Sequence, residues 1–249
     1  MITYFVTMAL ILHIETATSV CSAALSKNGN LVSLRETEDP RSHASSLSPF
    51  IEDIFNKSEF EISDLDAISI SIGPGSYTGL RIGVSTVKGL AYGSGIPVIS
   101  VSTLQSLANR VINEHKRDLE NIWVDDIVLC PMIDARRMEV YSAFYSSTLD
   151  MVRDVKADII EKNSYKDFLK KGRVVFFGNG SEKCKEMITH KNAFFIDNVV
   201  PSATFMIQLA ELSWGKGDFV NTAYFEPFYL KDFIATVARN KVLPPSKTT

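Results

Sequence analysis

Short apolar runs alternate along this chain with stretches in which apolar residues recur at every third or fourth position. The runs at 10–15, 20–26 and 31–35 predict strands, and the Asn-Gly pair before the third run predicts a hairpin. A helical pattern at 43–55 and a buried-strand pattern at 67–72 follow. The chain therefore begins with three successive strands, after which helices and strands alternate.

The alternation continues to the end of the first half and is repeated in the second. The first half ends with a helix at 78–92, a strand at 97–101 and a helix at 104–115. The second half has strand patterns at 127–133, 139–145, 152–160, 174–177 and 194–196, and helix patterns at 165–170, 181–189 and 205–214. This order predicts helices packed on the faces of a mixed sheet. We expect an α/β protein of two similar lobes that meet near residues 116–126.

The composition is that of a folded protein with a large core. Of its 249 residues, 45% are hydrophobic and 22% are charged, which excludes a disordered or low-complexity chain. The formal net charge of −3 argues against a protein that holds nucleic acid unaided, because such proteins carry a basic surface. A subunit whose partner holds the nucleic acid is compatible with this charge.

Cysteine usage and the N-terminal stretch favour a cytoplasmic protein. Cys21, Cys130 and Cys184 are odd in number, far apart and without metal-ligand spacing, as is typical of buried thiols in a reducing compartment. The apolar stretch 1–14 is too short to span a bilayer and lacks the basic start of a signal peptide. We expect no membrane segment, and the sequence allows translation to start at Met1 or Met8.

The segment from Gly73 to Gly83 is the most informative part of the chain. It lies between a predicted strand and a predicted helix, where backbone N–H groups and the helix dipole favour an anion. Its spacing matches neither a Walker A loop nor a dinucleotide-binding loop. One interpretation is a phosphate site that includes Gly73, Gly75 and Ser76. The other is a tight turn with Ser76 or Thr78 as the helix N-cap.

The helix predicted at 78–92 has a narrow polar stripe. One apolar stripe contains Leu80, Val84, Val87 and Ala91, and a broad second side contains Gly79, Ile82, Gly83, Thr86, Gly89, Leu90 and Gly93. Each glycine destabilises a helix by about 1 kcal/mol relative to alanine, so close packing on two sides must compensate. The pattern is consistent with a buried central helix or with a face that binds another subunit. In the second case we expect Gly83 and Val87 on opposite faces, one inward and one against the partner.

Acidic residues at two strand ends suggest a nucleotide cleft. Glu15, followed by Thr16, ends the first strand, and Asp134 ends the first strand of the second half, so both are placed to position a metal–phosphate complex. Turn and cap roles are the alternative. Motifs of zinc proteases, serine hydrolases and paired cysteines are absent from the sequence. His43 is followed one turn later by Leu47 rather than by a second ligand, so no bound metal is expected.

Six segments, taken in order, resemble the TsaB (YeaZ) family. They are 12–18, 43–51, 73–83, 102–104, 133–141 and 226–230, and the glycine segment is highly specific. The resemblance implies two duplicated actin/hexokinase-like lobes, the ASKHA or ribonuclease H-like fold, with mixed sheets and flanking helices. It places an N-terminal lobe at 8–116 and a C-terminal lobe at 117–231, with an extension at 1–7 and a tail at 232–249.

The same resemblance implies a role in tRNA modification. It implies the dimerisation subunit of the bacterial complex that makes threonylcarbamoyladenosine beside the anticodon. The partners implied are a TsaD-like catalytic subunit, a TsaE-like ATPase, tRNA through the complex, and a second copy when the chain is alone. The interface implied lies on the helices that start near His43 and Thr78, namely at His43, Leu47, Ile51, Thr78, Gly79, Leu80, Arg81, Gly83, Val84, Val87 and Leu90.

Two departures from the family and its catalytic relative predict a chain without catalytic activity of its own. Glu15 stands where an aspartate is usual, so we expect ATP or ADP to bind weakly or not at all. Leu47 replaces the second histidine of the His-x-x-x-His pair of the catalytic relative, and one imidazole does not hold a catalytic metal. An ATPase or sugar-kinase-like enzyme is the alternative that the fold allows, and a peptidase ranks last.

Overall fold

The first lobe is built on a five-stranded mixed sheet. The computed structural model describes residues 9–39, 42–115 and 127–230, and the expected lobe boundary at 116–126 lies outside them. The strands are β1 (Leu10–Glu15), β2 (Cys21–Lys27), β3 (Asn30–Thr37), β4 (Ala67–Gly73) and β5 (Val98–Ser102). Their order is β3-β2-β1-β4-β5. The three strands β1 to β3 pair antiparallel, whereas β4 is parallel to both β1 and β5.

The second lobe repeats this topology. Its strands are β6 (Val128–Asp134), β7 (Glu139–Ser146), β8 (Met151–Ile159), β9 (Val174–Phe177) and β10 (Ala193–Ile196), in the order β10-β9-β6-β7-β8. Again the first three strands pair antiparallel and the last two pair parallel. Two copies of one strand order, each with three antiparallel strands followed by parallel ones, confirm the predicted duplicated actin/hexokinase-like fold class.

Five α-helices flank the sheets in the described ranges. They are α1 (His43–Asn56), α2 (Tyr77–Ser94), α3 (Thr103–Glu114), α4 (Lys166–Lys171) and α5 (Ile207–Lys216). Each begins and ends within two residues of the helix that periodicity predicts. None of these helices combines the length and the apolar character needed to cross a bilayer.

The helix predicted at 181–189 is wrong. Only a short 3₁₀ turn forms there, at Glu182–Cys184. Cys184 and Ile188 are both buried in the core of the second lobe, so their spacing of four residues imitates a helix. Turn hydrogen bonds, such as that from the Cys184 N–H to the Ser181 carbonyl at 2.9 Å, connect them instead.

Two helices cross between the lobes and join the cores. Although α3 follows the first sheet, its residues Leu104, Leu107 and Val111 are buried against the second sheet. Conversely, α5 follows the second sheet along the chain but packs Leu209 and Ala210 against the first sheet. The exchange fixes the two lobes relative to each other by apolar burial on both sides.

The chain then returns to the first lobe through residues 218–230, here called the return segment. The Val220 N–H donates to the Val98 carbonyl at 2.9 Å, and the Phe228 N–H donates to the Ile72 carbonyl at 2.8 Å. Lys88 of α2 donates to the Ala223 carbonyl at 3.2 Å. The return segment therefore lies along one edge of α2.

A buried histidine links three strands of the first sheet. His13 is fully buried, and its two ring nitrogens lie 2.7 Å from the hydroxyls of Ser69 and Ser26. Burial lowers the pKa of His13 to about 3, so the ring is neutral at physiological pH and serves as a hydrogen-bonding link between β1, β2 and β4.

The glycines of α2 differ in their surroundings, which two alanine substitutions test. A Cβ added at Gly79 lies 2.1 Å from the Thr16 carbonyl oxygen, whereas one at Gly89 meets no atom within 4 Å. We expect Gly79→Ala to lower the free energy of unfolding by about 1–3 kcal/mol through overpacking. Gly89→Ala, in the same helix, is expected to raise it by about 0.5–1 kcal/mol. Urea unfolding measures both, and equal effects of the two changes contradict this description of α2.

Candidate functional site

A cleft of about 970 Å³ opens between the two lobes. On the first lobe the cleft is lined by residues 17–19, by the start of α1 and by residues 74–79 of the glycine segment. On the second lobe the lining consists of the β6–β7 turn at 133–137, Glu139, Tyr141 and Asn179, and residues 228–230 also contribute. The cleft lies at the carboxyl ends of β1, β4 and β6, which is where open α/β sheets bind ligands.

The glycine segment is held by its own lobe. A Cβ at Gly75 lies 2.1 Å from the Ala17 carbonyl oxygen, and the Ser76 N–H donates to that oxygen at 2.6 Å. The Ser76 hydroxyl accepts the Gly79 N–H at 3.2 Å and caps α2. Gly73 ends β4 with a φ of 111°. The segment therefore has the geometry of the capped turn, with Ser76 as the N-cap.

Glu15 and Thr16 do not line the cleft, which corrects the sequence-based expectation. The Glu15 side chain is fully buried, and its Oε1 accepts the Ala17 N–H at 2.6 Å. Burial raises the pKa of Glu15 to about 7, against the opposing effect of the Ala17 hydrogen bond. Thr16 is also buried, with its Oγ1 2.3 Å from where a Cβ at Gly83 would lie. Both residues support the loop after β1 from inside the lobe.

Asp134 reaches the cleft but is paired with a lysine. Its carboxylate forms an ion pair with Lys183 and accepts the Arg136 N–H at 3.1 Å. The Asp134 N–H donates to Asn179 Oδ1 at 3.0 Å. Lys183 lies 49 residues further along the chain, in the 3₁₀ turn, and no motif in the sequence connects the two.

These contacts do not fit the magnesium–nucleotide complex that the fold family implies. One candidate acid is buried in the first lobe and the other is neutralised by Lys183. N–H groups of the glycine segment are already bonded to the Ala17 carbonyl and the Ser76 hydroxyl. In the described parts of the chain, no cluster of three or more His, Cys, Asp or Glu side chains is arranged to hold a metal ion. No chemical step through a metal-bound phosphate follows from this arrangement.

Most side chains of the predicted partner interface are buried inside the chain. His43 is buried, and its Nε2 donates to the Thr18 carbonyl at 3.1 Å. The other buried members are Leu47, Ile51, Gly79, Leu80, Gly83, Val84 and Val87. These residues seat α1 and α2 on the first sheet and are buried within the chain itself. The expectation that Gly83 and Val87 face opposite ways is wrong, because both point inward.

The surface that α2 leaves uncovered consists of small or polar residues. We call it the open face, and its exposed members are Thr78, Ser85, Gly89, Tyr92 and Gly93. Of the predicted interface residues, Thr78 and Arg81 are exposed and Leu90 is partly exposed. A Cβ at Gly89 or Gly93 meets no atom within 4 Å. Nothing packed against these two glycines within the described residues explains their presence in a helix.

Sequence reasoning missed a cluster of aromatic rings and an arginine beside the open face. The guanidinium of Arg81 lies 4.0 Å from the centre of the Tyr77 ring, and its Nε donates to the Tyr229 hydroxyl at 3.2 Å. The two tyrosine rings are 4.9 Å apart. The signals for this cluster were the family-like segments 73–83 and 226–230, and of its three residues only Arg81 had been assigned a role, in the partner interface.

Comparisons with known proteins agree with one another. The family model described as TsaD, tRNA N6-adenosine threonylcarbamoyltransferase, matches residues 37–202. The tRNA threonylcarbamoyladenosine biosynthesis protein TsaB of Escherichia coli is 30% identical over 90% of this chain and 96% of its own length. The Haemophilus influenzae protein of the same name is 28% identical over 89% and 93%.

A solved structure extends the similarity to the backbone. YeaZ from Pseudomonas aeruginosa superposes with a TM-score of 0.77 at 27% identity, and the match covers 90% of this chain and 100% of that one. The similarity therefore includes both lobes.

Glu15→Gln tests whether the buried carboxyl is protonated near neutral pH. Because the pKa of Glu15 is raised in the folded chain, its contribution to stability is full at low pH and is lost as the pH rises through about 7. Glutamine does not ionise, so we expect the variant to gain stability over the wild type between about pH 5 and pH 8, by up to about 3 kcal/mol. Chemical unfolding at a series of pH values measures the difference. A difference that is constant with pH contradicts the assignment.

Proposed function

The chain belongs to the TsaB family, and from this premise we propose that it is the non-catalytic scaffold subunit of the complex that forms threonylcarbamoyladenosine in tRNA. The names of its TsaB relatives supply the reaction. The observation that carries the scaffold role is that the acidic and histidine side chains expected to carry chemistry at the cleft are buried or engaged within the chain. Lys183 neutralises Asp134, and His43 donates to a backbone carbonyl.

The proposed partner is a TsaD-type subunit that carries out the transfer. Its docking surface is the open face of α2 together with the exposed α1 residues Ala44 and Ser48. Gly89 and Gly93 support this assignment, because each lowers helix stability by about 1 kcal/mol without an internal contact in return. Glycines on a helix surface allow another helix to approach closely, which offsets that cost when a partner is bound.

Further partners follow from the same role. When the chain is alone, the open face pairs with a second copy, since Gly89 and Gly93 let the same helix of that copy approach closely in a symmetric dimer. A TsaE-type ATPase joins the complex, tRNA reaches this chain only within it, and the complex acts in the cytoplasm.

The alternative enzymatic functions find no comparable support. A kinase-like ATPase needs free acids for a metal-bound phosphate, whereas Glu15 is buried and Asp134 is paired. A peptidase needs a nucleophile beside a base. His13 has serine hydroxyls 2.7 Å away on both sides, but all three residues are fully buried and out of reach of a substrate.

Reconstitution of the reaction tests the scaffold role. We expect no modified tRNA when this chain is incubated alone with tRNA and threonylcarbamoyl-adenylate, because it has no group free to carry out the transfer. When this chain is added to a TsaD-type subunit and a TsaE-type ATPase, we expect tRNA modification to be faster than with those two proteins alone. Mass spectrometry of the digested tRNA measures the product. Full modification by this chain alone overturns the proposal.

An arginine on the open face tests the docking surface. Gly89→Arg places a long charged side chain where the partner helix approaches, so we expect the affinity for a TsaD-type subunit to fall by about 100-fold or more. Gly215→Arg is the matched control, because Gly215 also lies in a helix with no atom within 4 Å of an added Cβ. Co-elution on size exclusion measures binding, and circular dichroism checks folding. Equal binding by both variants removes α2 as the interface.

A further inference from the structure

The β6–β7 turn is held in a costly backbone conformation. Arg136 and Arg137 have φ angles of 69° and 50°, in the left-handed region that asparagine and glycine occupy more readily than arginine. The turn is closed by the Ala135 N–H, which donates to the Glu139 carbonyl at 3.1 Å. Two consecutive left-handed arginines require a compensating interaction.

Lys183 provides that interaction from behind the turn. Its ammonium donates to the carbonyls of Arg137 and Glu139, both at 2.6 Å, and to the carboxylate of Asp134. Three oxygens of one turn thus converge on a single cation. The lysine fixes the turn, and its positive charge neutralises the carboxylate of Asp134.

The arginine side chains are left free by this arrangement. Both are exposed and line the cleft. Within the described residues neither guanidinium has an ion pair or a hydrogen bond. A guanidinium matches the geometry of a phosphate with paired N–H donors. A strained turn that is clamped so as to present two unpaired guanidiniums indicates a site for an anion.

The lining contributed by the first lobe adds aromatic surface. Tyr77 and Tyr229, the ring pair beside Arg81, line the same cleft as the arginine turn. Phosphate-binding cations together with partly exposed rings are the combination used for single-stranded RNA, where bases stack on aromatic side chains. A magnesium-bound nucleotide does not fit the cleft, since Lys183 occupies the acid that would position it.

We propose that the Arg136–Arg137 turn, positioned by Lys183, contacts phosphodiester groups of the tRNA within the complex. The inference rests on the proposed function and adds to it the part of this chain that touches the substrate. It also reconciles an acidic chain with an RNA substrate, because the contact needs only two exposed cations while the partner provides the rest of the binding surface.

Titration of labelled tRNA with the complex of this chain and a TsaD-type subunit tests the proposal. The double variant Arg136→Ser/Arg137→Ser removes both cations, and Lys170→Ser/Lys171→Ser is the control, since it removes two adjacent exposed cations from α4 outside the cleft. We expect the arginine variant to weaken binding by about tenfold or more. We also expect the slope of log K against log salt concentration to become shallower by about 1.4–1.8, the loss of two phosphate contacts. The control is expected to change neither.

A second pair of variants tests Lys183 as a positioning residue. Lys183→Met is expected to weaken tRNA binding. Lys185→Met is the control: Lys185 lies two residues further on, at the end of the same turn, and is paired with Glu182 and Asp197, so we expect this variant to leave tRNA binding unchanged. Circular dichroism and co-elution with the partner check that both variants fold and assemble. If Lys183→Met does not fold, the arginine pair still decides the question.

The outcomes separate this inference from the proposed function. Wild-type affinity and salt slope in the arginine variant overturn the inference, even where the wild-type chain stimulates modification as proposed. If the wild-type chain does not join the partner, the proposed function fails, and the same titration on the chain alone tests the arginines. Calorimetry with Mg-ATP is the remaining arm. If the arginine variant loses ATP binding but keeps tRNA binding, the arginines bind a free nucleotide and the inference is overturned. The inference is also overturned if the arginine variant no longer co-elutes with the partner.

Discussion

The close backbone contact between the loop after β1 and the start of α2 is the constraint on which the cleft depends. The carbonyls of Thr16 and Ala17 lie where Cβ atoms at positions 79 and 75 would be, so only glycine lets the helix approach to this distance. The contact seats the inward face of α2, uses N–H groups of the glycine segment and sets one wall of the cleft. The buried Glu15 carboxyl holds the same loop through the Ala17 N–H.

Neither of the two acids expected to position a metal–phosphate complex is available in the cleft. Burial raises the pKa of Glu15 to about 7, and Asp134 has a lysine as its counter-ion. Burial removes Glu15 from the cleft and an ion pair engages Asp134, so neither carboxylate is free to hold a metal ion. Arg136 and Arg137 remain as charges on the second-lobe wall with no ion pair to any residue that the structure describes.

Most of the helices and strands were predictable from the sequence because apolar periodicity and turn residues are local signals. The Asn28-Gly29 hairpin forms as predicted, and of the two interpretations of the glycine segment the structure has the capped turn, with Ser76 as the N-cap. The faces of α2 were not predictable in the same way. Gly83 and Gly89 cannot be told apart in the helical pattern of the sequence. In the structure, a Cβ added at Gly83 would lie 2.3 Å from Thr16 Oγ1, whereas one added at Gly89 would meet no atom within 4 Å. The Asp134–Lys183 pair joins residues 49 positions apart, and only tertiary structure brings them together.

The exchanged helices and the return segment hold the two lobes together and connect the two surfaces that we propose as binding sites. Asn109 of α3 donates to the Phe205 carbonyl at 2.9 Å, and Glu211 of α5 accepts the Gly29 N–H at 2.8 Å, so both lobes are held by contacts outside the cleft. The open face of α2 and the arginine turn share no residue, although Thr78 of the open face lines the same cleft as the turn. Tyr229 lines the cleft and bonds to Arg81 of α2, so the two surfaces have a direct physical connection through the return segment.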